Sequence, residues 1–253
     1  MITVEARYFS AALSAAVLAS ADETLYSIAG VLIRPEADRI RFLATDRYRL
    51  HSVEIPIVVG ELGQESEPAE PPAPFVVHAA EVRSLLGWIR SKPIPTHIAL
   101  SVDDDGPMLT PLGRFVDGFE RKPLRVGSTE VARQYPPVHR AVTKALDDDV
   151  SDAADVVIHG AFLADALQAA HLVNQALPKA ERSRWIRMIS RGQSAAVSVA
   201  YDEAGDAAWR IRFVALVMPA NFAQAGEKET TIGHRAMESA RTLAEQSLTE
   251  RQG

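Results

Sequence analysis

The side chains able to do acid–base or metal chemistry in this sequence stand apart from one another. Its seven histidines, His51, His78, His97, His139, His159, His171 and His234, never fall at the His-x-x-x-His spacing that would turn two imidazoles to one helical face. Asp103-Asp104-Asp105-Gly106 offers oxygen donors for a cation. It lacks the onward spacing and closing Glu of a calcium-binding loop, so it reads as a solvated turn, and the run Asp147-Asp148-Asp149 reads the same way. No G-x-x-x-x-G-K-[ST] or G-x-G-x-x-G cradle for phosphates occurs, and no serine sits in a G-x-S-x-G elbow. There is no cysteine, which excludes thiol nucleophiles, thiolate metal sites and disulfides together. An enzyme built on the acidic residues is the weakest reading, because no motif places an acid and a base at a fixed separation. These residues point away from catalysis and from any metal or cofactor, towards a function of surfaces.

Surfaces need a scaffold, and the apolar pattern supplies one. The 253 residues are 47% hydrophobic and 24% charged, the balance of a globular protein with a sizeable core. Three stretches share one order: a short strand, an amphipathic helix, then further strands. In the first, from Ile2 to about Ile57, the helix over Tyr8–Ser20 puts Phe9, Leu13, Ala16 and Val17 on one face. Strands follow over Leu25–Ile33, Arg39–Thr45 and Tyr48–Ile57. The segment Gly60–Pro74, rich in Glu and Pro, reads as a solvated connection. The second stretch has a strand over Phe75–His78 and a helix over Ala79–Ser91, with Val82, Leu85, Leu86 and Ile89 as its apolar stripe and Lys92-Pro93 as its stop. Its strands are His97–Val102 and Met108–Glu120. After a linker in the later part of Arg121–Asp155, a third stretch has a strand over Val156–His159 and a helix over Ala161–Leu177. Its strands lie near Trp185–Ser190, Ala195–Tyr201 and Trp209–Met218. The expected division is 1–145 as one domain made of halves 1–58 and 75–142, 155–222 as a single half, and 223–253 as a polar, partly helical tail.

The net charge of −6 argues against a protein coated in DNA over its whole surface, because phosphate neutralisation needs clustered Lys and Arg; a local basic lining fits. Met1-Ile2-Thr3-Val4-Glu5 lacks a basic export signal, and no long uncharged apolar run occurs. A cytoplasmic protein that does not cross a membrane is expected.

Four segments carry a resemblance. Ser27-Ile28-Ala29-Gly30-Val31-Leu32-Ile33 with Arg39-Ile40-Arg41-Phe42-Leu43-Ala44-Thr45-Asp46-Arg47-Tyr48-Arg49-Leu50 resembles L-x-G-V-L followed by L-x-L-V-A-T-D-G-x-R-L in the bacterial DNA polymerase III beta sliding clamps. Arg133-Gln134-Tyr135-Pro136-Pro137-Val138-His139-Arg140 resembles the G-x-F-P-x-Y-R-R stretch of that family, and Val156–Leu177 with Trp185–Ser190 is similar to its final half-domain. Val214-Ala215-Leu216-Val217-Met218-Pro219 resembles the Y-V-V-M-P ending. The matches cover most of residues 1–222 in the family's order. Arg47 stands where the family has Gly, the third unit stands without a companion half, and residues 223–253 extend beyond the family's usual end.

The resemblance implies an α+β DNA clamp fold of repeated β-α-β-β-β half-domains, shortened here and of cellular or phage-like source, that encircles duplex DNA without reading its sequence. It implies a cleft for short linear peptides of the replicative polymerase, clamp loader and repair proteins, with Thr45, Arg47, Tyr48, Arg49 and Leu50 on one wall and Leu216, Met218 and Pro219 on the other. It implies DNA-facing cations, Arg83, Arg90 and Lys92 on the second helix and Lys179, Arg182 and Arg184 after the third. Rings of this type contain twelve halves. Three per chain would give a homotetramer in which third halves pair about a two-fold axis. The rival reading is a clamp-like decoy that binds clamp partners, or a complete clamp, without encircling DNA.

Overall fold

Alternation along three consecutive strands fixes the architecture. In β2 (Gly30–Pro35), β3 (Arg39–Thr45) and β4 (Arg49–Pro56), the residues Val31, Ile33, Ile40, Phe42, Ala44, Val53 and Ile55 face one core, and Leu32, Leu43 and Leu50 face the opposite way. These are positions in a computed structural model of the chain. It describes residues 1–21, 25, 28–58, 71–113, 121–138, 140, 158–182, 187–191, 196–200 and 211–217, with backbone alone for 187–191 and 196–200 apart from Met188. Met1–Met218 forms one compact unit; a second, Pro219–Gly253, lies outside the described residues, as does the marginal tail helix expected there.

The first unit opens with β1 (Ile2–Glu5) and α1 (Ala6–Ala16), and the second with β5 (Phe75–His78) and α2 (Ala79–Arg90). After α2 come β6 (His97–Asp103), β7 (Gly106–Leu112), β8 (Leu124–Arg125) and a short α3 (Thr129–Gln134). The third unit contributes α4 (Gly160–Ala176), β9 (Arg187–Arg191), β10 (Ala196–Ala200) and β11 (Arg212–Val217).

The first two units exchange their leading strands. β1 pairs antiparallel with β6 in a sheet of order β1-β6-β7-β8, and β5 pairs with β2 in a sheet of order β5-β2-β3-β4-β11-β10-β9. The third unit continues that second sheet, because β11 pairs with β4 from Arg212↔Glu54 to Val217↔Arg49. All the described pairings are antiparallel.

Helices cover one face. α1 is buried at every position except Arg7, since it lies on β3 and β4 with α2 on one flank and α4 on the other. Its Ala-rich sequence suits that place, because small side chains let two neighbours approach closely. α4 meets α1 with its own small face, Ala166, Ala169, Ala170 and Val173. The core beneath holds Phe9 edge-on to Phe42 at 5.1 Å between ring centroids, together with Phe75 and Phe213. Each such ring contributes about 2–3 kcal/mol by leaving water.

Boundaries differ locally from the sequence pattern for identifiable reasons. α1 begins at Ala6 because Glu5 is still extended and Ala6 N–H donates to Thr96 O at 2.9 Å. β2 starts at Gly30 because Ile28 N–H turns back to Leu25 O at 2.8 Å. No helix among the described residues is long and apolar enough to cross a membrane.

Candidate functional site

Thr45 through Leu50 form the β3–β4 turn, and side-chain oxygens hold its shape. Thr45 Oγ1 accepts from Arg47 N–H at 3.1 Å and its hydroxyl donates to Arg49 O at 2.8 Å. Asp46 Oδ1 accepts from the amides of Tyr48 and Arg49, each at 3.0 Å, and Oδ2 accepts from Arg49 Nε at 2.8 Å. This is the mechanism by which Thr and Asp side chains let a turn compete with continued sheet. Arg47 sits at φ = 82°, in the left-handed region that favours Gly, which accounts physically for a Gly at this place in the resembling sequences.

From this turn the expected cleft residues separate into two groups. Leu50 stays on the face of the sheet away from α1, α2 and α4, where it stands opposite Leu216 across the β4–β11 pairing. Around them lie Ile28, Leu32, Leu43, Val76, Tyr135 and the partly buried Val138 and Val214, an apolar cluster separate from the main core. Thr45, also buried, lies two residues along β3 from Leu43 and so on the same face. The two walls expected from sequence therefore meet here through Leu50 and Leu216. Met218 and Pro219 lie outside the described residues.

Tyr48 and Arg49 turn instead towards α4. Arg49 pairs with Asp165 and with Asp46, and its guanidinium lies 4.8 Å from the Phe162 ring centroid. Tyr48 stacks on Phe162 at 6.2 Å, and His159 meets the same ring at 4.7 Å. Arg47 and Tyr48 are exposed beside this tie.

Tyr135 closes the outer cluster. Its hydroxyl donates towards Leu43 O at 3.3 Å and Gly30 O at 3.5 Å, and burial pushes its pKa well above that of an ordinary phenol. It is delivered by α3, whose N-terminus is capped by Ser128 Oγ accepting from Val131 N–H. Neither α3 nor Tyr135 as a cluster residue was expected from the sequence, although Ser128-Thr129-Glu130 is a legible helix start. Phe162 and Asp165 were also missed. Each has an ordinary place on an amphipathic helix, and only the fold brings the turn to them.

The far end of the same sheet face is charged. Glu54 accepts from Arg39 at 3.0 Å and Arg41 at 2.9 Å, and Glu36 reaches Arg41 at 3.4 Å. The face is thus half apolar and half an ion-pair lattice.

On the helix side, Arg83, Lys92 and Lys179 are exposed. Arg90 donates to Ser10 Oγ at 3.2 Å and Ser14 Oγ at 3.1 Å, spanning α2 and α1. It lines a groove of about 750 Å³ shared with Arg7, Ile94, Leu172 and Gln175. Arg182 donates to the Leu177 and Gln175 carbonyls, satisfying the end of α4. Arg184 lies outside the described residues.

The acidic turn is internally paired: Arg125 donates to Asp103 at 2.6 and 3.0 Å and to Asp105 at 3.2 Å, and the bonded guanidinium holds the Asp103 carboxyl below its usual range. Among the described residues no cluster of three or more His, Asp or Glu could hold a metal.

No protein-family model matches the chain. It is 30% identical over 190 residues to the beta sliding clamp of Micrococcus luteus, an alignment covering 74% of this chain and 51% of that protein. Its structure is similar to the DNA polymerase III beta subunit of Thermotoga maritima, with a TM-score of 0.50 at 13% identity over 87% of this chain and 65% of that one. It is also similar to a candidate DNA polymerase III beta subunit of Eubacterium rectale, with a TM-score of 0.53 at 10% identity over 88% and 66%. The chain spans about half the length of the curated relative, and the structural likenesses show the α+β DNA clamp fold.

Proposed function

The chain belongs to the beta sliding clamp family as a distant member, and from that membership we propose that it is a clamp-like processivity scaffold, without catalysis of its own, that encircles duplex DNA and holds short linear peptides of replication and repair proteins. The observation that carries the reading is the meeting of Leu50 and Leu216 across β4 and β11, at the floor of an apolar cluster lying on the opposite side of the sheet from α1, α2 and α4. Partners engaged there would be anchored by apolar or aromatic side chains, and Met218 and Pro219 would extend the second wall. The helix layer would face DNA, with Arg83, Arg90, Lys92, Lys179, Arg182 and Arg184 meeting phosphates irrespective of sequence. Closure would require several copies; three halves per chain favour a tetramer. The replicative polymerase and the clamp loader are the partners proposed.

Two measurements test this. A labelled peptide copying the clamp-binding segment of a bacterial replicative polymerase should bind the full chain, and Leu50→Asp or Leu216→Asp should weaken binding at least about tenfold, because a buried apolar anchor would meet an unpaired charge. Undiminished binding by both variants overturns the site. After loading, the protein should stay on circular DNA and leave linear DNA from its ends. Peptide binding without retention on circles would instead establish the decoy.

A further inference from the structure

Small residues on the outward side of α1 leave a trough in the helix layer. Ser10, Ala11 and Ser14 share one side of the helix by their spacing, and they form the floor of the groove of about 750 Å³. Ile89 at the end of α2, with Ile94 and Pro95 in the loop after it, lines the groove together with Leu172 and Ala176 of α4. The size falls within the ~300–1,000 Å³ of clefts that hold small molecules. Ile94 is 62% exposed, so the rim keeps an apolar side chain in water.

Arg90 is held over this floor. Its Nε donates to Ser10 Oγ at 3.2 Å and its Nη2 to Ser14 Oγ at 3.1 Å, and the Ser14 hydroxyl in turn donates to Ser10 O at 2.7 Å. The serines occupy the side edge of the guanidinium, formed by Nε and Nη2. The end edge, formed by Nη1 and Nη2, makes no other hydrogen bond among the described residues. Nor does a carboxylate pair with Arg90 there, whereas the groove's other arginine, Arg7, is neutralised by Glu5 at 2.6 Å. Among the described residues, then, the groove combines apolar walls with one positioned guanidinium that has no counter-charge.

We propose that this groove binds a small organic anion, its apolar body lying on Ala11 between Ile89, Ile94 and Leu172 and its carboxylate or sulfonate meeting the end edge of Arg90. Two parallel N–H···O bonds from that edge suit an acid group, and desolvation by the apolar walls strengthens them. A nucleic-acid backbone matches only half of this chemistry: its phosphates would answer Arg90 and leave the apolar lining uncovered, which makes DNA a competitor here and not the occupant. The inference is independent of the clamp reading, since it needs neither ring closure nor a bound peptide.

The test titrates the full chain with anilinonaphthalene sulfonate, one acid group on an aromatic body whose fluorescence rises when it leaves water. Phenylnaphthylamine, the same body without the charge, is the comparison. The sulfonate should bind at least about tenfold more tightly. Arg90→Gln should remove that difference, and Arg90→Lys should restore only part of it, because an ammonium keeps the charge and loses the two-point fit. Ala11→Phe, which fills the floor and leaves every charge in place, should weaken both compounds; melting curves confirm that each variant is folded. Methyl NMR locates the site: the Ala11 and Ile94 signals should shift as the sulfonate is added, and those of Leu50 and Leu216, on the other side of the sheet, should not. Equal affinity for the two compounds overturns the inference. So does sulfonate binding indifferent to both Arg90→Gln and Ala11→Phe, or the absence of shifts at Ala11 and Ile94 up to the solubility of the probe.

Discussion

His51 lies fully buried on β4 beneath α1, with Nδ1 2.8 Å from Ala15 O and its ring edge-on to Phe213. As the donor on that bond, Nδ1 keeps the proton and leaves Nε2 bare in apolar surroundings. Burial depresses its pKa to about 4, against about 6.5 for an unfolded histidine. Between those values the unfolded chain holds more protons, so this contribution is complete above about pH 6.5 and falls as pH drops towards 4, by up to about 3 kcal/mol. Urea midpoints at pH 7.5 and 5.0 should differ less for His51→Gln than for the unsubstituted protein; equal differences would mean that another group carries the acid sensitivity. At the neighbouring turn, Arg47 holds φ = 82° at a steric cost that glycine avoids. Arg47→Gly should raise stability by about 0.5–1 kcal/mol, read as a higher denaturation midpoint.

Between elements, α1 and α4 meet along a seam rich in alanine on both sides. Ala170→Leu should cost about 1–3 kcal/mol by forcing the helices apart, and calorimetry would show it as a lower melting temperature. The turn-to-helix tie is weaker, since Asp165 is one-third exposed: a double-mutant cycle of Arg49→Ala with Asp165→Ala should return a coupling of about 1 kcal/mol or less. The strand and helix order was legible from β1 to β7 and from α4 to β11, because each of those helices carries its apolar residues at helical spacing and each strand reads as an apolar run between turn residues. The expected clamp fold was legible because the Thr45–Leu50 and Val214–Pro219 segments resemble a family. What the sequence could not display was pairing at long range. Nothing local joins Leu216 to Leu50, and the resemblance groups Tyr48 and Arg49 with Leu50 in one wall, although the strand's period sends Arg49 to the helix side. Tyr135 escaped notice because its role depends on the carbonyls of two distant strands, Gly30 and Leu43.

For the whole molecule, a net charge of −6 means that any DNA contact must be local, and the helix layer is where exposed Arg83, Lys92 and Lys179 lie. Arg83→Glu with Lys92→Glu should shorten retention on circular DNA and flatten its salt dependence, while leaving peptide binding unchanged; an unaltered salt slope would remove these two residues from the DNA face. The β4–β11 junction also governs how the chain comes to fold. Val53 and Phe213 are about 160 residues apart in sequence yet adjacent in the sheet. During synthesis the first unit can assemble early, but its β4 edge, with Leu50 half-covered, waits until β11 has left the ribosome. For that interval the nascent protein presents an open strand edge beside an apolar patch, the combination that chaperones recognise and that aggregation exploits. Slowing translation between β10 and β11 should therefore lower soluble yield more than slowing it within the first unit.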